Sequence, residues 1–153
     1  MIVEVDRDSV AAAAQIHSCS WQESHRSFCS REFVELHSAE RQKAYLTQEI
    51  DGGKRLYMLV EEKPVGIVSV KDDLIENLYV LPQEQHKGYG TRLLRFATEQ
   101  CTGTPCLWVL ENNERAFSLY SGHGFRLTGA RHALSAQIAE AEMRFEAPAQ
   151  RGE

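Results

Sequence analysis

One stretch limits the chain more than any other: Ile75-Glu76-Asn77-Leu78-Tyr79-Val80-Leu81-Pro82-Gln83-Glu84-Gln85-His86-Lys87-Gly88-Tyr89-Gly90-Thr91-Arg92-Leu93-Leu94. Its first half reads as a buried strand, rich in isoleucine, leucine, tyrosine and valine, and Pro82 stops further ladder pairing. Its last part reads as a helix, with Leu93, Leu94, Ala97 and Cys101 recurring on one face. Between them lies a short loop that ends in Gly88-Tyr89-Gly90. Strand, glycine-bearing turn and helix start, in that order, make an anion site. The first amides of a helix have no internal partner, and the helix dipole adds partial positive charge at the same place. Glycine lets the backbone come close to a ligand and permits positive φ. Residues 85–91 therefore read as a cradle for a diphosphate.

The spacing narrows the choice of ligand. A P-loop needs G-x-x-x-x-G-K-[ST], and Lys87-Gly88 runs the wrong way round. A dinucleotide fingerprint needs a third glycine where Arg92 and Leu93 stand. What is present is Gln85-x-x-Gly88-x-Gly90, which resembles the Q/R-x-x-G-x-G/A signature of the GNAT superfamily of acyl-CoA-dependent N-acetyltransferases. A second stretch, from Asn113 through Ala116 and Tyr120 to Gly124-Phe125, is similar to that family's N-x-x-A-x-x-x-Y-x-x-x-G-F helix and strand. The resemblance covers roughly residues 2–146.

Length and composition agree with such a domain. A chain of 153 residues is one domain by the usual prior, and one of this size buries roughly 70% of its unfolded surface. The expected organisation is a single domain over residues 1–147 and a polar tail over 148–153. The net charge of −5 argues against a nucleic-acid partner and suits a site that receives cationic amines. No apolar run is long enough for a membrane span. Cys19, Cys29, Cys101 and Cys106 form neither a C-x-x-C pair nor a metal-ligand spacing, which points to reduced cytoplasmic thiols.

Residues 2–5 alternate like a half-buried strand. Asp8 or Ser9 is placed to cap a helix from Val10 toward Trp21, with Ile16, Trp21 and Phe28 facing the core. Ser30-x-x-Phe33 resembles a second cap, followed by packing of Phe33, Val34 and Leu36. A helix over 38–51 carries Ala44, Tyr45, Leu46 and Ile50 inward, with Glu40, Arg41, Lys43 and Glu49 on a solvated face, and ends at Gly52-Gly53. Strands over 55–61, 65–70 and 74–81 form an antiparallel meander. A helix over 88–102 leads to a strand at 106–110, and this crossover implies a parallel pair. A helix over 113–122 and strands at 125–131 and 141–146 complete the order. Unaided, this is an α/β (mixed) fold with helices flanking a sheet. The resemblance implies a GNAT-like, mostly antiparallel central sheet in which one parallel strand pair splays to admit the cofactor.

The same resemblance implies a chemistry: an acetyl group passes from acetyl-CoA to a primary amine by direct attack in a ternary complex. Gln85, His86, Lys87, Gly88, Tyr89, Gly90 and Thr91 would cradle the diphosphate through main-chain donors, with added charge from Lys87 and Arg92. Main-chain amides of Leu78 and Val80 would bond the thioester oxygen and the pantetheine arm. Asn113, two helical turns before Tyr120, would bond that arm or simply cap its helix. Tyr120, protonated at neutral pH, would give a proton to the leaving sulfur. Glu76, read as sharing parity with Leu78 and Val80, is a candidate base, with Asp72, Asp73 or a water chain as rivals.

His17, Trp21 and His25, at i, i+4 and i+8, are placed to border an amine pocket or to pack as core, with Trp21 and His25 as the substrate contacts and Glu23 nearby. His123 and His132 have no role in this reading. No His/Cys/Asp/Glu cluster points to a metal. The acceptor, small molecule or peptide, is left open, as are acyl length and a homodimer. The alternative is a CoA-binding module that senses without turnover.

Overall fold

A computed structural model describes residues 1–27, 29–136 and 138–146. The expected contribution of Phe28 to the core and the expected polar tail lie outside these residues. The chain forms two compact units, Met1–Lys71 with Ile75–Gln100, and Asp72–Leu74 with the described residues from Cys101 onward.

In the first unit the strands β1 (Ile2–Glu4), β2 (Arg55–Val60), β3 (Pro64–Lys71) and, from Ile75 on, β4 (Leu74–Val80) lie side by side in that order. β1 pairs antiparallel with β2, and β2 pairs antiparallel with β3 across the turn expected between them. Helices α1 (Val10–His25), α2 (Arg31–Glu35) and α3 (Ala39–Asp51) precede β2, and α4 (Tyr89–Gln100) follows β4. Alternation along the strands sorts two faces. Leu56, Met58 and Ile67 join Val10, Ala13, Ala14 and Ile16 of α1 in one core. On the other face Tyr57 meets Phe96 of α4 edge-on, with centroids 4.8 Å apart. Gly66 sits there for want of room: a Cβ on it would lie 2.7 Å from Leu93 Cδ1 and 3.0 Å from the Tyr79 carbonyl oxygen.

Several local expectations need correction. Ser9 is the N-cap of α1, one of the two expected positions, but its side chain makes no cap bond; Asp6 ties the start instead, its Oδ1 accepting from the amides of Asp8 and Ser9. These amides, that of Ser9 first, hold the Asp6 carboxyl below the usual range. Ser30 and Ser38 cap α2 and α3 through their hydroxyls. Val34 and Leu46 are buried as read, whereas Phe33 and Leu36 are about half exposed and Ala44 is exposed. α2 has barely one turn, too short to bury three apolar residues on one side.

In the second unit β5 (Cys106–Leu110) pairs antiparallel with β7 (Ala139–Phe145), and β7 with β6 (Phe125–Ala133). Helix α5 (Glu114–Gly122) joins β5 to β6. Its Ala116 amide donates to the Asn113 side chain, so Asn113 is the N-cap. The class is the expected one, mixed α/β with mostly antiparallel pairing. No disulfide joins Cys19, Cys29, Cys101 and Cys106. No helix among the described residues is long and apolar enough to cross a membrane.

Candidate active site

The loop after β4 has the build of an anion cradle. A single 3₁₀ turn, Pro82–Glu84, ends at Gln85, whose Nε2 donates back to the Val80 carbonyl at 3.3 Å. His86 and Gly88 then take φ of 68° and 84° before α4 begins at Tyr89. Left-handed residues are the ingredient from which main-chain anion nests are made. Nothing lies within 4 Å of a Cβ built on Gly88, so glycine is there for its backbone angle and the loop stays open. Exposed His86, Lys87 and Gly88 lead directly into the donor end of α4. Lys87 Nζ pairs with Glu84 at 2.7 Å, and Arg92 pairs with Glu61 at 2.5 Å. Solvent-screened pairs of this kind contribute little, so both cations can turn to a more highly charged diphosphate. The donor set therefore fits the diphosphate of coenzyme A.

Strand β4 presents one edge away from β3. The Leu81 amide donates to Val65 on β3 at 2.9 Å. By alternation the amide and carbonyl of Val80 face the opposite edge. There the Val80 carbonyl is taken by two side chains, Gln85 at 3.3 Å and buried Ser20 of α1 at 3.2 Å. The Leu78 amide shares that edge by the period of two.

Upstream the alternation breaks. Asn77 has φ of 54°, a bulge-like conformation that asparagine tolerates better than most residues. It puts Glu76 and Asn77 on the same face. Asn77 Oδ1 lies 3.3 Å from His17 Nε2 of α1, and Glu76 pairs at 2.7 Å with Lys54, which also pairs with Glu49 of α3 at 3.0 Å. Val80 points to the opposite face, its Cγ2 3.4 Å from a Cβ built on Gly66. The expected parity of Glu76 with Leu78 and Val80 is thus overturned, and its carboxylate has a partner of its own. Burial opposes the charge on Lys54, yet Glu76 and Glu49 outweigh it and hold the ammonium pKa above its ordinary value. Glu49, expected on a solvated face, is pulled below the usual carboxylate range by the Lys54 hydrogen bond. Asp73, a rival base, is occupied as well: its Oδ1 accepts from the Gly103 amide at 2.6 Å and from Thr102 at 3.3 Å. Asp72 is a turn residue with φ of 55°.

A cavity of about 530 Å³ opens in the first unit. His17 and Trp21 come from α1, Arg41, Gln42 and Tyr45 from α3, and Asn77 and Tyr79 from β4; Phe33, Leu36 and His37 close it from α2 and the turn after it. Of the expected acceptor contacts Trp21 lines this space, while His25 and Glu23 do not. His25 instead stacks on Trp21 with centroids 3.8 Å apart, and His37 stacks on it at 3.4 Å. Two near-parallel rings that close must lie on opposite faces of the indole, so Trp21 is held between them. The His37 carbonyl accepts from Ser18 at 2.6 Å and Gln22 at 2.7 Å, which ties the α2–α3 turn to α1.

The network also settles the His17 tautomer. Asn77 Nδ2 donates to Ser69 Oγ, and Ser69 donates to the Glu76 carbonyl. Asn77 Oδ1 is therefore an acceptor, and His17 carries its proton on Nε2. His17 Nδ1 is buried without a hydrogen-bond partner. Burial pushes the His17 pKa down to about 4, so the ring is neutral.

In the second unit Tyr120 is buried, its ring edge-on to Phe125 at 6.2 Å. Burial pushes its phenol up to about 12, which keeps it protonated. Among the described residues no group of His, Cys, Asp or Glu is gathered as a metal site requires.

The comparisons with known proteins agree with this geometry. A family model described as "Acetyltransferase (GNAT) domain" matches residues 52–127. No curated protein matches the chain. Among solved structures, the PaiA N-acetyltransferase of Thermoplasma acidophilum in complex with coenzyme A is similar at 19% identity and a TM-score of 0.74, over 95% of this chain and 98% of that one. YjaB of Escherichia coli in its apo form reaches 21% identity and a TM-score of 0.75, over 95% of this chain and 96% of that one. YncA of Salmonella typhimurium, solved with its cofactor acetyl-CoA, reaches 18% identity and 0.68, over 99% of this chain and 98% of that one. At these identities the likeness speaks for the fold. Residues 52–127 thus belong to a GNAT acetyltransferase domain, and the chain as a whole has the fold of these solved acetyltransferases.

Proposed function

We propose that the protein is an N-acetyltransferase that moves an acetyl group from acetyl-CoA to a primary amine by direct attack. The observation that carries this is the β4–α4 loop, where left-handed His86 and Gly88 open onto the donor end of a helix. The amine nitrogen attacks the thioester carbonyl, the new C–N bond forms and the C–S bond breaks. Amides of Leu78 and Val80, directed away from β3, are suited to bond the carbonyl oxygen as charge builds on it. Tyr120 supplies the proton that the leaving sulfur takes up. The amine's proton goes to water, because Glu76 serves Lys54 and Asp73 serves the 102–103 turn. The acceptor occupies the cavity bordered by Trp21, with His25 as the support behind that ring.

Calorimetry with CoA and acetyl-CoA, beside thiol release across an amine panel, tests the reading. Binding of both, with release that depends on the amine, is the expected result. A folded protein that gives no heat with either would overturn it. Binding with no release on any amine would leave only the sensing alternative.

A further inference from the structure

The lining of the cavity is opposite in charge to the chain as a whole, with Arg41 and no acid among its residues. We infer that its acceptor is a small primary amine that also bears a carboxylate and an apolar or aromatic group, such as an apolar amino acid, and not a polyamine. This rests on the acetyltransferase reading and sharpens it.

Three observations on the cavity wall carry the inference. First, none of the lining residues is acidic, whereas Arg41 of α3 stands among them and is exposed. A guanidinium is a planar fork of donors that matches a carboxylate, and a polycation would meet it as a like charge. Glu76, next to Asn77 on β4, and Glu49 of α3 are both engaged by Lys54.

Second, the rings of Trp21, Tyr45 and Tyr79 are already engaged and do not combine into a cage for a cation. Such a cage needs open ring faces. Both faces of Trp21 are covered by His25 and His37. Lys54 Nζ already lies over the Tyr45 ring at 5.8 Å, and His17 packs on Tyr79 with centroids 4.8 Å apart.

Third, the mouth is apolar where it is open. Phe33 and Leu36 line the cavity while 47% and 53% exposed. Exposed apolar side chains beside one cation suit a ligand with an apolar body and one negative group.

The test uses phenylalanine, phenylalanine amide and spermidine, with calorimetry in the presence and absence of CoA and with thiol release from acetyl-CoA. Phenylalanine is expected to bind on the order of tenfold or more tightly than its amide, the usual worth of a hydrogen-bonded charge pair. In Arg41→Gln that gap should close to near parity, with the melting temperature unchanged because Arg41 is exposed. Spermidine should bind least and release least. Preference for spermidine, or an unchanged gap in Arg41→Gln, would overturn the inference while CoA binding left the acetyltransferase reading standing. Binding of phenylalanine by a protein that takes no CoA would do the reverse.

Discussion

Glu76→Gln separates two roles for one carboxylate. Glu76 lies 2.7 Å from Lys54, whose side chain is 6% exposed and keeps Glu49 as its second partner. A hydrogen bond to a buried charge is worth about 1.5–3 kcal/mol. Breaking a buried pair outright costs about 3–5 kcal/mol. Since Glu49 stays in place, the loss should fall near the lower range, about 2 kcal/mol. At roughly 2–4 °C per kcal/mol for a chain of this size, the melting temperature should drop by about 4–8 °C.

The removed pair also predicts an asymmetry. Lys54→Met leaves two carboxylates with side chains 37% and 39% exposed, which water can solvate, so it should cost less than Glu76→Gln. Adding Glu76→Gln to Lys54→Met should then be nearly free, a coupling of about 2 kcal/mol in a double-mutant cycle. The pH window follows from the shifts. Lys54 is held above its ordinary 10.5, so its contribution is complete below that pH and fades as pH rises through the raised value. Glu49 is held below its ordinary 4.5, so its contribution is present above that pH and fades as pH falls through the lowered value. Between these limits the penalty of Glu76→Gln should be flat. If Glu76 is the counterion of Lys54 and nothing more, kcat with saturating substrates should stay within a few-fold. An unchanged melting temperature, together with a fall in kcat of about 10²-fold and loss of the acid limb of the pH–rate profile, would refute this reasoning and restore Glu76 as the base.

The remaining predictions are narrower. Gly66→Ala places a methyl against fully buried Leu93 and the Tyr79 carbonyl, so chemical denaturation should show a loss of about 1–3 kcal/mol. Gly88→Val meets no neighbour but forces a β-branched residue to φ of 84°, so calorimetry should show CoA affinity reduced by roughly tenfold or more. Tyr120→Phe should lower kcat on the order of 10²-fold, with CoA affinity unchanged. His17 titrates near 4 in the folded chain against an ordinary 6.5, so the unfolded chain takes the proton first and stability falls as pH drops through that interval, by roughly 3 kcal/mol in full. His17→Gln should flatten this part of the stability curve, and an unchanged slope would contradict the buried neutral imidazole.

How much of this was legible in the sequence depends on whether the determinant is local. Turn glycines, serine caps and strand alternation act over a few residues, so the order of elements and the left-handed, glycine-bearing loop before α4 could be read directly. The cavity could not. Its walls come from α1, the α2–α3 turn, α3 and β4, and only folding brings His37, Arg41, Tyr45 and Asn77 together. Reading His17, Trp21 and His25 as one helical face found the right helix but missed that His37 would arrive from elsewhere to cover Trp21. Lys54 was passed over for a related reason. A lysine after Gly52-Gly53 looks solvent-bound until Glu49 and Glu76 are seen on either side of it.

The Glu76 error is the most instructive, because its signal was present. Strict alternation along β4 assumed that no residue leaves the β region. Asparagine is among the residues most tolerant of positive φ, and Asn77 stands in the middle of a strand that is apolar but for itself and Glu76. One left-handed residue there reverses the face of everything before it relative to everything after. The reversal has two effects. It sends Glu76 to Lys54, where the carboxylate is tied up, and it gives Asn77 both His17 and Ser69 as partners, which hold the irregular backbone in place. Leu78 and Val80, beyond the bulge, keep their own register. The strand edge proposed to meet the thioester is thus decoupled from the face that builds the Lys54 cluster, and Glu76 can serve that cluster without disturbing the amides of Leu78 and Val80.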